Sequence, residues 1–505
     1  MRIFSLDVRS LAAMRIGMGF VMLIDLWARA KWLTELFTDD GFVPRSFVAQ
    51  GMFRWTSLYF LSGGVGWTRF LFVFHALFAL MLLIGYRTRL ATIACLVLYY
   101  SLLNRNPLVA GGGEFLLFWI LVWSFFLPLG QVISIDDLIL ARQGKVRDES
   151  LTVCSIGSAA LILQLAFMYW GALIARIPHR EWWLDWSAVE YVMQARVATP
   201  LGHYISNWSA LTSLATLGTL GLEMIGLPLV WLSYRSTWLR TTVVGAFIIF
   251  HLMLAATIYS GRFQPVCIVT WLALIPGPIW AACRASVAGS KLIQYTSGVG
   301  NRLADVLPSR TTGMAWEKTG IAQIFVALLL VYVVLVNVLS DATPILRRPL
   351  ALSLYLPRMK QSWVMMDDPP KDYRGFIVEA DLEDGRTVEL LDSFTQSPPK
   401  LCNLIWPPED DIWLALHGVV LRDAISNTMQ LTPRFCDLLR RQWDAAHPSE
   451  SQVRRIRFTC HVQSSSSDND AASLDLSTAS KMYSISKTLY AWDALNPNPT
   501  SQPEN

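Results

Sequence analysis

Apolar residues gather into nine runs along the chain: Leu11–Trp27, Phe70–Ile84, Leu90–Leu103, Phe115–Leu129, Val153–Ile174, Trp208–Leu232, Val243–Ile258, Val266–Trp280 and Ile321–Leu339. A helix rises about 1.5 Å per residue, so about 20 apolar residues are needed to cross about 30 Å of hydrocarbon. Several runs are shorter than that, and their helices must recruit flanking Trp, Tyr or snorkelling Arg side chains. The pattern predicts an α-helical polytopic membrane bundle of about nine transmembrane helices over residues 1–345.

Past Leu339 the pattern changes. Pro344, Pro349 and Pro357 interrupt any helix, and charged residues return. Phe376–Leu382 and Thr387–Leu391 flank Asp384-Gly385, a strong signal for a β-hairpin turn. Ile456, Phe458, Cys460 and Val462 alternate with polar residues, as in a half-buried strand. Between these, Phe435, Leu438, Leu439 and Trp443 recur at helical spacing, with Thr432 expected as the cap and Pro433 at the first helical position. Residues 346–463 therefore read as a C-terminal soluble α+β domain. The Ser-, Asp- and Ala-rich stretch Ser464–Ser480 opens a low-complexity tail, 464–505, expected to be disordered with room for a short ordered segment.

Composition agrees with the membrane reading. Hydrophobic residues make up 53% of the chain and charged residues 16%, where an ordinary soluble domain carries about a quarter charged. Many of the 21 Trp fall near the ends of apolar runs, where amphipathic rings favour the headgroup layer. A net charge of +4, with Lys and Arg scattered, gives no support to a nucleic-acid partner. Basic residues set topology instead. With a cytoplasmic N-terminus, the cytoplasmic loops carry Arg87, Arg89, Arg142, Lys145, Arg147, Arg235, Arg240, Arg284, Lys291, Arg302, Arg310 and Lys318, against Arg29, Lys31, Arg45, Arg54, Arg105, Arg176, Arg180, Arg196 and Arg262 opposite, a modest bias in favour of that orientation. An odd number of spans then puts the C-terminal domain outside the cytoplasm. The first run is followed by no cleavage-site pattern and is expected to stay as a signal anchor. Of seven Cys, only Cys402, Cys436 and Cys460 lie outside the bundle, so at most one bridge forms there.

Charge inside a span is costly enough to make each such residue a functional candidate. Arg15 and Asp25 share the first run; ten residues apart, they stand about 80° and about 15 Å from each other and cannot pair directly. Each must find a partner on another helix or snorkel. Glu114 follows Gly111-Gly112-Gly113, whose lack of side chains permits close backbone approach, and sits near a helix N-terminus. His251 lies within the seventh run, as a proton carrier, a ligand or a hydrogen-bonded packing residue. Arg176 ends the fifth run, as an interfacial anchor or a fork for an anionic headgroup. No HExxH, P-loop, GxSxG or paired-Cys pattern sits where it could be used, so neither a metal site nor a defined cofactor is assigned.

A set of short motifs carries a resemblance. These are Asp7–Ala12 with Arg15-Ile16-Gly17, Phe37–Gly41 with Pro44-Arg45, Gly85-Tyr86-Arg87, Asn104–Pro107, Phe126–Gly130, Ala198–Gly202, and His251 with Gly261 and Phe263. Gln361–Met365 and the Asp384-Gly385 hairpin continue it past the bundle. Together they resemble the HTTM family, related to the membrane domain of vitamin K-dependent gamma-carboxylase and found in many bacterial proteins. The resemblance implies a multi-pass protein of a bacterial inner membrane, N-terminus cytoplasmic and C-terminal domain outside. In the carboxylase a membrane-embedded lysine acts as base on reduced vitamin K, supported by a histidine. Here the lysine position is Arg176 and the histidine aligns near Gly113. A guanidinium has a pKa above about 12 and cannot replace an amine base.

Three functions follow as expectations. The first is an HTTM protein that binds a lipid- or quinone-like ligand in a pocket near Arg176, Glu114 and His251, without carboxylase chemistry. The second is a divergent carboxylase-like enzyme. The third is a non-enzymatic scaffold or transport accessory presenting its C-terminal domain to a protein partner.

Overall fold

The computed structural model describes residues 2–48, 56–143, 151–195, 197–287, 320–342, 372–390, 431–448, 452–464 and 484–493, with isolated positions at 302, 361, 363, 368 and 420. The bundle is built from α1 (Val8–Ala30), α2 (Val65–Ile84), α3 (Thr88–Arg105), α4 (Gly112–Ser124), α5 (Ile156–Arg176), α6 (Ser209–Leu232), α7 (Thr237–Thr257), α8 (Phe263–Leu272), α9 (Gly277–Val287) and α10 (Gly320–Ala342). Each of the nine apolar runs is centred on one of these helices or on the α8–α9 pair. Five helices are long and apolar enough to cross a membrane: α1, α2, α5, α6 with the turn after it, and α7. The α8–α9 pair, bent by 92°, is a sixth candidate.

The remaining three runs fall short for separate reasons. Helix α4 has 13 residues, about 20 Å of rise against about 30 Å of hydrocarbon. The 18 residues of α3 include Arg89, Asn104 and Arg105, which lower its hydropathy. In α10 the span Gly320–Val334 is apolar but short.

The motifs quoted above turn out to be the joints between helices. Asp7 caps α1, accepting from the Arg9 amide at 2.8 Å. Gly85, at φ 71°, ends α2 in the left-handed conformation that glycine adopts without penalty. Asp136 then holds the start of α3, accepting from the Arg87 and Thr88 amides at 2.7 and 2.8 Å. At the other end of α3, Arg105 donates to the carbonyls of Val43 and Thr38, both at 2.8 Å, and Asn106 donates to Leu36 at 3.0 Å. Thr199 accepts from the Gly202 amide at 3.2 Å and donates its own amide and hydroxyl to the carbonyls of Thr257 and Ala256, closing the end of α7. Trp363 rests on Gly171 of α5, and Gln361 pairs with Gln164.

Strands β1 (Leu6–Asp7) and β2 (Thr152–Val153) pair beside the bundle, and a four-stranded antiparallel sheet follows it, in the order β4 (Thr387–Glu389), β3 (Asp372–Leu382), β5 (Val453–Ser464), β6 (Ser484–Asp493). The hairpin expected at Asp384-Gly385 joins β3 to β4, with Gly385 at φ 87°. Strand β6 lies inside the segment read as a low-complexity tail, where it pairs along β5. The rest of Ser464–Ser480 lies outside the described residues. Helix α11 (Thr432–Ala446) packs Phe435 on Phe376 of β3, ring centres 5.9 Å apart. Leu431, not Thr432, holds its cap position; Thr432 is drawn into the core instead. Phe435 also meets Phe42 at 6.0 Å, and Arg441 donates to the Asp40 carbonyl, so α11 sits on the loop that follows α1. Cys436 is a buried free thiol; Cys402 and the side chain of Cys460 lie outside the described residues.

Candidate functional site

Buried charges and polar groups form two neighbouring constellations. The first joins α1, α4 and the start of α8. Arg29 donates to Asp25 one turn earlier at 2.7 Å and to Glu114 at 2.7 Å. Arg262 donates to the same Glu114 oxygen at 2.9 Å and pairs with Asp25. Glu114 spends its other oxygen on the Gly111 amide at 3.0 Å, closing the first turn of α4. Two guanidinium and two carboxylate groups cancel, which is how four ions persist where an isolated charge is prohibitive.

Arg15 is elsewhere. It is fully buried near the opposite end of α1, donating to the Ile133 carbonyl at 2.6 Å, with Asp136 within electrostatic reach. Both charged residues of the first run thus reach different partners, as their angular separation requires.

The second constellation lines a cavity of about 290 Å³ among α5, α6, α7 and α8. Arg176, at the last turn of α5, pairs with Glu223 of α6 and lies 4.1 Å from the Trp182 ring. On the opposite wall the bonding runs in one direction. Trp271 can only donate, and gives its indole proton to the Tyr169 oxygen at 2.7 Å. Tyr169 is then free to donate to His251 Nε2 at 2.6 Å. That assigns His251 the neutral tautomer with its proton on Nδ1, donated to Gln264 Oε1 at 2.5 Å. Gln264 in turn donates to Ser260 at 2.9 Å. Met193, Leu254 and Phe263 supply apolar wall between the two polar sides.

Arg176 and His251 therefore share one cavity. Glu114 and Asp25 belong to the ion cluster next door, and Arg15 to neither. Gly113 touches the backbone of α8 so closely that a Cβ there would lie 2.6 Å from the Phe263 amide nitrogen. No histidine fits at that position in this packing. Sequence reading missed Arg29, Arg262, Glu223 and His75. Glu223 and His75 each lie within an apolar run, so the rule that selected Asp25 applies equally to them. Among the described residues no three His, Cys, Asp or Glu side chains gather as a metal site.

A helical bundle with five or six candidate membrane spans, lined inside by compensated charge and a polar-sided cavity, defines an integral membrane protein. The sequence model of the HTTM domain matches residues 5–280, and the chain belongs to that family. No curated protein and no solved structure matches the chain.

Proposed function

We propose that this HTTM protein is a multi-pass inner-membrane protein that binds a lipid- or quinone-like ligand in the cavity between Arg176 and His251, without vitamin K-dependent carboxylase chemistry. The observation that carries the reading is the cavity itself: apolar walls, and polar groups converging from two sides, the pattern of a small-molecule site. Because Glu223 cancels the charge of Arg176, the cavity favours a neutral headgroup over an anionic one. A quinone fits this description, with carbonyl oxygens that can accept from Ser260 or the Arg176 fork. Carboxylase chemistry is disfavoured because Arg176 cannot become a neutral base and Gly113 has no room for a side chain.

The order of helix ends supports an odd number of passes, as nine would be. The bridge between β1 (Leu6–Asp7) and β2 (Thr152–Val153) holds the N-terminus beside the start of α5. Phe435 against Phe42 sets the C-terminal α+β unit at the far end of α1. With the N-terminus cytoplasmic, that unit lies outside.

Mass spectrometry of lipids extracted from protein purified in mild detergent tests the ligand. A neutral quinone or lipid retained by the wild type and depleted in Arg176→Ala and His251→Phe is expected; equal lipid content in all three refutes the reading. A second reading, a divergent carboxylase-like enzyme, is favoured by one feature, the carboxylate of Glu223 at the cavity wall. It requires turnover of reduced quinone that Glu223→Gln abolishes.

A further inference from the structure

Beside the ion cluster stands a set of buried polar groups that have no hydrogen-bond partner among the described residues. His75 of α2 is fully buried, and among the described residues neither ring nitrogen has a hydrogen-bond partner. The Tyr99 hydroxyl of α3 is likewise buried and unpartnered, as is the second carboxylate oxygen of Asp25 on α1. The three belong together. The rings of His75 and Tyr99 are 6.0 Å apart, His75 is within electrostatic reach of Arg29, and Tyr99 is within reach of both Asp25 and Glu114.

Leaving such groups bare in an apolar interior costs about 1–3 kcal/mol each, more for a charged oxygen. Three on neighbouring helices are unlike an isolated packing defect. We propose that the α1–α2–α3 interface is a hydration site, in which internal water molecules bridge His75, Tyr99 and Asp25 and extend the ion cluster into one hydrogen-bonded network. The chemistry selects water as the occupant. The adjoining ion cluster is neutral, so a charged guest has no counter-charge left. The bare groups also ask for opposite things: Asp25 needs a donor, a neutral His75 needs one donor and one acceptor, and Tyr99 takes either. A molecule small enough for a helix interface that both donates and accepts meets all three, and buried waters make about three such bonds.

Millisecond X-ray radiolysis of the full-length protein in detergent, in ¹⁸O-labelled water, reads this directly, because side chains touching bound water take up solvent oxygen although bulk solvent does not reach them. The fold supplies matched controls. Tyr169 and His251 are as buried as Tyr99 and His75, but their polar atoms are bonded to protein. Tyr99 is expected to label several-fold faster than Tyr169, and His75 several-fold faster than His251. In Tyr99→Phe, which keeps the ring and removes the bridging hydroxyl, labelling of His75 is expected to fall. Equal rates within both matched pairs would overturn the hydration site. Undiminished His75 labelling in Tyr99→Phe would overturn the shared network.

Discussion

At the scale of single residues, pairing decides what a buried charge can do. Arg29 bonds two buried carboxylates, Asp25 and Glu114, and shares both with Arg262. Arg29→Met should cost on the order of 3–5 kcal/mol, the usual penalty for orphaning a buried ion, visible as a lower Tm in detergent. An unchanged Tm would mean that Arg262 can neutralise both acids by itself. Asp39, in the loop after α1, illustrates a pair in a wetter place. Burial pushes its carboxyl up, but hydrogen bonds and charge from Arg45, with Arg105 behind, outweigh this and hold it below the ordinary range. A depressed carboxyl adds stability above its unfolded pKa of about 3.9, and loses it as pH falls through the folded value. The Tm gap between the wild type and Asp39→Asn should therefore be constant near neutrality and close below about pH 4. A gap that widens with acid would reverse the assignment. Glu223 and His75 were legible as charge or imidazole within apolar runs; that Glu223 would face Arg176 was not, since 47 residues separate them.

At the scale of elements, the short motifs matter through the joints they make. The apolar runs marked the helices of the bundle, with α8 and α9 read as one, but not which are long enough to cross, because length depends on where caps such as Gly85 and Asp136 cut the run. Gly113 shows how a joint constrains chemistry. Its lack of a side chain lets α4 lie against the Arg262–Phe263 backbone, and that approach brings Arg262 onto Glu114. Restoring the carboxylase pattern by Gly113→His with Arg176→Lys should therefore yield a less stable protein and no carboxylation. Gly113→Ala by itself is expected to cost about 1–3 kcal/mol, as overpacking does. Carboxylase turnover in the double variant would show that α4 can retreat and that the chemistry is latent.

At the scale of the molecule, the C-terminal α+β unit is tied to the bundle by aromatic and polar contacts between α11 and the loop after α1. Phe435 serves both sides, packing on Phe376 within the unit and on Phe42 of the bundle. Phe42→Ala removes only the second contact. It should raise hydrogen exchange in α11 and in 38–48 while leaving the bundle helices protected; exchange confined to 38–48 would mean that α11 is held by other contacts.

The sequence by itself determined that the chain is a helical membrane protein of the HTTM family, because hydrophobic length and short joint motifs are local properties that a single strand of residues displays. It also put an arginine at position 176, whose guanidinium is not a neutral base wherever it is placed. Tertiary structure alone decided the pairing between helices: Asp25 with Arg262, Arg176 with Glu223, His251 with Tyr169 and Gln264. Such contacts join residues on different helices, whose rotation about their axes is fixed by packing against neighbours, and hydropathy records apolar length without recording which face a polar atom turns to.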